Sequence, residues 1–163
     1  MDVLLTSAAA WLAAQLIKLI YYRMEHGWFN FAVMTTSGGM PSSHTALVTA
    51  ATVRVAIAEG FFSSLFGVSA VLAMVVMYDA AGVRHSVGEQ ARTLNRIQEE
   101  LKALIALDTD VIKEVLGHTG FQVFVGFLIG LSVGVLSIWI PLPRYRNSGR
   151  LSARRAKMKN EQK

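Results

Sequence analysis

The chain has 163 residues, of which 53% are hydrophobic, only 17% are charged and none is cysteine. A soluble domain carries about 25% charged residues, so this composition points to a single domain dissolved in a bilayer, and the missing cysteines exclude disulfide scaffolds, thiolate metal sites and thiol nucleophiles. The net charge of +5 belongs to one end, because Arg144, Arg146, Arg150, Arg154, Arg155, Lys157, Lys159 and Lys163 fall in the last twenty residues against Glu161 alone.

A helix needs about 20 apolar residues to cross about 30 Å of hydrocarbon, and four runs approach that length. Val3 to Tyr22 is apolar except for Thr6, Ser7, Gln15 and Lys18, and Lys18 sits near enough to the end to reach the interface. Basic residues follow this run instead of preceding it and Ala8-Ala9-Ala10 comes too early for cleavage, so it reads as a retained helix and not a signal peptide. A shorter run from Ser43 to Ala58 follows Pro41, with Ser42 or Ser43 as N-cap. Glu59-Gly60 divides it from a third run, Phe61 to Tyr78, in a tight helical hairpin. Arg54 inside the second run has to face protein or water, since a lone charge in lipid is costly.

Asp79 to Gly120 reads as a polar connection, helical in part. Leu94, Ile97, Leu101, Leu104 and Ile105 fall at helical spacing, so this stretch lies along the interface or against the bundle, and a second short helix is expected from about Thr109 to Leu116. The fourth run, Phe121 to Ile140, ends at Pro141-Leu142-Pro143. Its glycines at 126, 130 and 134 form a stripe that admits another helix closely and offers a route to homo-oligomers.

The expected fold is all-α: a multi-pass membrane bundle of about four transmembrane helices plus short interfacial helices over residues 1–143, then a basic, disordered tail over 144–163. A basic segment beside a membrane helix stays in the cytoplasm. Four spans then place both termini inside and put the loops over 23–42 and 79–120 together on the outer face. The tail suits anionic lipid better than nucleic acid, as it lacks interleaved aromatics beyond Tyr145.

Those two loops hold most of the reactive side chains. In the first, Gly38 and Gly39 permit close backbone approach, and Ser42, Ser43 and His44 enter a helix whose unpaired N–H groups favour an anion. In the second, Arg84 offers a planar fork of donors suited to phosphate, with Asp79 and His85 beside it as supporting groups, while Lys18 adds a point charge. His118, between two glycines before the last helix, suits a nucleophile on phosphorus if a partner orients its ring. Taken singly, each reads as an ordinary cap, turn or headgroup-level residue; together on one face they point to an anion site.

The segments GGMPSSH at 38 to 44, YDAAGVRHSVGEQA at 78 to 91 and LGHTGFQVFVG at 116 to 126 resemble the signature blocks of the divergent PAP2 family. Its members are membrane proteins related to acid phosphatases and vanadium-dependent haloperoxidases, and the resemblance extends from Lys18 to about Gly134. It implies a cofactor-free, metal-independent phosphatase of lipid-linked phosphates or pyrophosphates at the outer face of the cell membrane. His118 is then the nucleophile and His44 the general acid, while Lys18, Arg84, Gly38, Gly39, Ser42 and Ser43 hold phosphate. Gln122 stands where the broader superfamily has a carboxylate; its amide oxygen can orient His118 but cannot stabilise an imidazolium as a carboxylate does. That departure leaves open a second reading, a binding or transport protein for lipid phosphates that does not hydrolyse them. A structural subunit assembled through the glycine stripe ranks last, because it leaves the clustered histidines and arginine without a role.

Overall fold

The computed structural model describes residues 2–35, 38–105 and 117–140. Its elements are α1 (Val3–His26), α2 (Ser43–Glu59), α3 (Ser64–Tyr78), α4 (Arg84–Ile105) and α5 (Gly120–Leu136), with short 3₁₀ turns at Phe31–Met34 and Ser137–Trp139. Every described element is helical, as the composition and run lengths require. The expected helix over Thr109 to Leu116 and the basic tail lie outside the described residues.

Three helical runs, Val3–His26, Ser64–Lys102 and Gly120–Trp139, are long and apolar enough to cross a membrane. The fourth expected span, α2, has 17 residues. It carries Thr45, Thr49 and Arg54 because it is the centre of the bundle, packed by α1, α3 and α5 and kept from lipid. The polar residues of α1 turn inward in the same way. Thr6 and Ser7 donate their hydroxyls to the carbonyls of Asp2 and Val3, so their polarity is satisfied along the helix itself. Large apolar side chains such as Leu12, Leu72 and Phe124 point outward, as the lipid-facing side of a bundle requires.

Small residues set the spacing. Ala10, Ala14, Ala46 and Ala50 are fully buried together under Ile129 and Val133. A Cβ on Gly126 would meet the Ser42 carbonyl, one on Gly130 the Ala46 carbonyl, and one on Gly134 the Val53 side chain at 2.7 Å. Each step of four residues on α5 matches about four on α2, so the two helices run parallel, and both begin at the same end of the bundle. The glycine stripe is therefore filled by α2 of the same chain. The stripe expected to offer a route to homo-oligomers is packed against α2 within the chain.

Arg54 answers to the same parallel register. It is 2% exposed, and its Nη1 donates to the Ser137 carbonyl at 3.2 Å and the Ser137 hydroxyl at 3.3 Å. A cation thus meets carbonyl oxygen just past the end of α5, where the helix leaves acceptors unpaired.

The stretch after Tyr78 departs from expectation. The helix does not stop where hydrophobicity stops; α3 continues through a π-helical turn at Asp79–Val83 into α4. A change from apolar to polar composition marks where a helix leaves lipid and does not by itself end the helix, and no proline occurs between 79 and 105. The amphipathic spacing of Leu94, Ile97 and Leu101 lies on this long helix, not on a short interfacial one.

Candidate functional site

The site forms where α2 and α5 begin. Ser42 caps α2: its hydroxyl accepts the Thr45 N–H and the Thr45 hydroxyl at 2.9 Å, and its own N–H donates to the Gln122 carbonyl at 3.2 Å. These bonds tie the start of one helix to the first turn of the other. Thr119 and Gln122 cap α5 reciprocally. The Gln122 N–H donates to the Thr119 hydroxyl at 3.3 Å, and Gln122 Oε1 accepts the Thr119 N–H at 3.1 Å.

His118 is held from three sides and is 6% exposed. Its backbone N–H donates to the Ala80 carbonyl in the π-helical turn at 3.1 Å. A π turn interrupts the regular ladder of helix hydrogen bonds, and this carbonyl is taken up by His118. The preceding Gly117 lies so close to the backbone of Arg84 and His85 that a Cβ there would collide with it. The third hold is on the ring, whose Nδ1 lies 3.4 Å from Gln122 Oε1. Because that oxygen already accepts the Thr119 N–H, it presents an acceptor to Nδ1, and a ring that donates there carries its lone pair on Nε2.

A pocket of about 620 Å³ is lined by Lys18, Gly38, Ser43, His44 and His118 at its polar end and by Trp11, Gln15, Phe31, Met34 and Thr35 elsewhere. Lys18, His44 and His118, 26 and 74 positions apart in sequence, thereby meet at one end of the bundle. Lys18 was expected to reach the interface; instead it is 5% exposed and folds inward beneath the glycine loop. Gly39 makes room for it, with φ at +78° and a would-be Cβ 2.9 Å from Lys18 Cε. Gly39→Ala is expected to leave the helical content intact while weakening binding of vanadate, a phosphate mimic, because the strained backbone and the added methyl push the ammonium away; titration of vanadate onto both forms checks this.

The remaining candidates divide. Gly38 and Ser43 face the pocket. Ser42 does not: it is fully buried and its hydroxyl is committed to the cap, which corrects its expected role as a phosphate contact. Arg84 and Asp79 line an adjoining cavity of about 220 Å³ that shares His44 with the main pocket. Arg84 Nε donates to Asp79 Oδ2 at 2.6 Å, and its side chain is 50% exposed. His85 is exposed, lines neither cavity and contributes only the backbone against Gly117, so its expected supporting role is not met by its side chain. Sequence reasoning missed Trp11 and the Ala80 carbonyl, and treated Gln15 only as a polar interruption in an apolar run. Among the described residues no three His, Cys, Asp or Glu side chains gather where a metal ion could be held.

Burial lowers the pKa of His118, and the charges of Lys18 and His44 act in the same direction, against hydrogen bonds that the ring donates to Gln122 and the Gly39 backbone, which favour the cation. The ring is therefore neutral at physiological pH, the form a nucleophile needs. The folded state binds that proton less readily than the unfolded chain, so stability falls as pH drops through the unfolded histidine range. The acid limb of any His118-dependent activity is expected below the ordinary histidine value. Gln122→Glu should move that limb to higher pH, since a carboxylate favours the imidazolium; a pH–rate profile of both forms reads the shift.

Comparison with known proteins gives two findings. The sequence profile of the Divergent PAP2 family matches residues 1–133. The chain is also 39% identical over 139 residues, 78% of its own length and 88% of the relative's, to the "Uncharacterized membrane protein YuiD" of Bacillus subtilis (strain 168). No solved structure matches significantly.

Proposed function

Since the chain belongs to the divergent PAP2 family and is a membrane protein, we infer that its pocket hydrolyses a lipid-linked phosphate or pyrophosphate, with His118 as nucleophile. The observation that carries this reading is the meeting of Lys18, His44 and His118 on one pocket, with the His118 ring oriented through Nδ1 by Gln122.

The reaction follows from those positions. Nε2 of His118 attacks phosphorus and the bond from phosphorus to its lipid or inner-phosphate oxygen breaks, while His44, held protonated by the bound phosphate anion beside it, gives its proton to that leaving oxygen. Lys18 holds the phosphoryl oxygens as negative charge shifts among them, and Arg84 joins from the adjoining cavity by exchanging Asp79 for phosphate. Water then attacks the phosphohistidine and loses its proton to His44. The phosphorus–nitrogen bond breaks, and inorganic phosphate leaves. The fixed cations supply the electrostatic stabilisation, so no metal enters the scheme. A substrate with a lipid tail suits a pocket bounded by α1, a membrane-crossing helix, and the basic tail argues by charge for a cytoplasmic C-terminus and an outward-facing site.

Phosphate release from lipid phosphates in detergent micelles, with vanadate as inhibitor, tests the reading; release blocked by vanadate is the expected result. A second reading is favoured by one observation, the neutral Gln122 in place of a carboxylate. Vanadate bound by the protein, with no phosphate released from any lipid phosphate, would establish a binding or transport protein instead.

A further inference from the structure

The pocket is graded in polarity, and the grading runs along α1. Trp11, Gln15 and Lys18 follow one another at four and three residues, so they stack on one helix face. At 1.5 Å per residue, Gln15 lies about 4.5 Å and Trp11 about 10 Å along the helix axis from Lys18. Along α1 the lining thus passes from the ammonium of Lys18 through the amide of Gln15 to Trp11, and Phe31 and Met34 add apolar lining.

That amide has an unmet need. Gln15 is 4% exposed. Its Nε2 donates to the Met34 carbonyl at 2.7 Å, which fixes which way the amide faces. Oε1 is left buried with no donor among the described residues. Buried acceptors without donors are uncommon and unfavourable. Gln15 lines the pocket, so a ligand that enters there and shifts its side chain supplies the donor this oxygen lacks.

We propose that Gln15 selects a phosphate amphiphile carrying a free hydroxyl or amide N–H on the carbons between its phosphate and its hydrocarbon chain. This rests on the phosphate-site reading above and names its substrate class. The phosphate lies at Lys18 and the imidazoles, and the donor at Gln15 Oε1. The first part of the chain passes Trp11, Phe31 and Met34 toward the bilayer. A monoacylglycerol phosphate meets all three requirements. A diacylglycerol phosphate presents an ester where the donor is needed, and a polyprenyl phosphate presents bare hydrocarbon.

Displacement of bound vanadate from the full chain in micelles tests this without requiring turnover. The displacing lipids are 1-acylglycerol phosphate and its analogue with hydrogen in place of the 2-hydroxyl. The hydroxyl lipid should displace vanadate at an about tenfold lower concentration, the worth of one hydrogen bond, and Gln15→Leu should make the two equal. Equal displacement from the native protein, or a preference that survives in Gln15→Leu, overturns the proposal; if that variant does not fold, the native comparison decides alone. Vanadate binding that neither lipid displaces refutes the amphiphile while leaving the anion site in place. Absence of vanadate binding removes the phosphate reading itself, and this proposal with it.

Discussion

His118→Ala is expected to lower phosphate release from a lipid phosphate by about 10³-fold or more, because no other group in the pocket is so oriented by its neighbours for attack on phosphorus. The substitution is a clean one. What ties His118 to the fold is its backbone N–H on the Ala80 carbonyl and the close packing of Gly117, and alanine retains both. The ring adds a long hydrogen bond to Gln122 and one to the Gly39 backbone. Helix content and melting temperature in micelles should therefore stay near those of the native protein while turnover disappears. Gln122→Ala separates orientation from chemistry: it keeps the nucleophile but frees the ring, and also removes half of the α5 cap, so it should lose activity partly and some stability, about 1 kcal/mol for the cap. Turnover that survives in His118→Ala would remove the nucleophile assignment, whatever the affinity of the pocket for phosphate.

What the sequence could reveal follows from what each signal measures. Hydropathy measures distance from water, so it placed α1 and α5 well and assigned the Lys18, His44 and His118 regions to one end of the bundle. It does not measure helix continuity, and the passage from Tyr78 into Asp79 has the composition of a loop although the backbone continues through a π turn. Spacing showed that Gly126, Gly130 and Gly134 share a face; it carried nothing about whether the neighbour is α2 or another molecule. Small residues within α2, Ala46 and Ala50 among them, were the available sign that it would receive them. The Pro-Ser-Ser-His run was read correctly as a helix start, but which serine spends its hydroxyl on the cap depends on one backbone torsion, and that choice left Ser43 and not Ser42 facing the pocket. Gln15 was visible as a polar residue in an apolar helix, and its significance needed the Met34 carbonyl to be seen beside it.

Gly130→Val is expected to prevent accumulation of folded protein, and the reason lies in what the added carbons would meet. A Cβ at 130 would collide with the Ala46 backbone carbonyl and come within 2.7 Å of Thr49 Cβ. Neither can turn aside, since one is main chain and the other a branch point held on the same helix face. Overpacking a core usually costs about 1–3 kcal/mol when side chains can adjust; here α5 itself must move off α2, so Gly130→Ala should fall at the upper end of that range and valine beyond it. Gly67 supplies the control. Nothing lies within 4 Å of a Cβ built there, so Gly67→Ala should change stability by less than about 0.5 kcal/mol or raise it slightly through helix propensity. Gly126→Ala is the sharper probe of function, because Gly126 lies over the Ser42 carbonyl and the Ser42 N–H is bonded to Gln122. A displacement there moves the α5 start, and His118 with it, relative to His44. Thermal unfolding in micelles should rank the variants Gly67→Ala, Gly126→Ala, Gly130→Val in decreasing stability, and Gly126→Ala should lose more turnover than its melting temperature alone would account for. Equal stability of Gly67→Ala and Gly130→Val would mean that α2 does not occupy the stripe, and the parallel register that aligns the two histidines would fall with it.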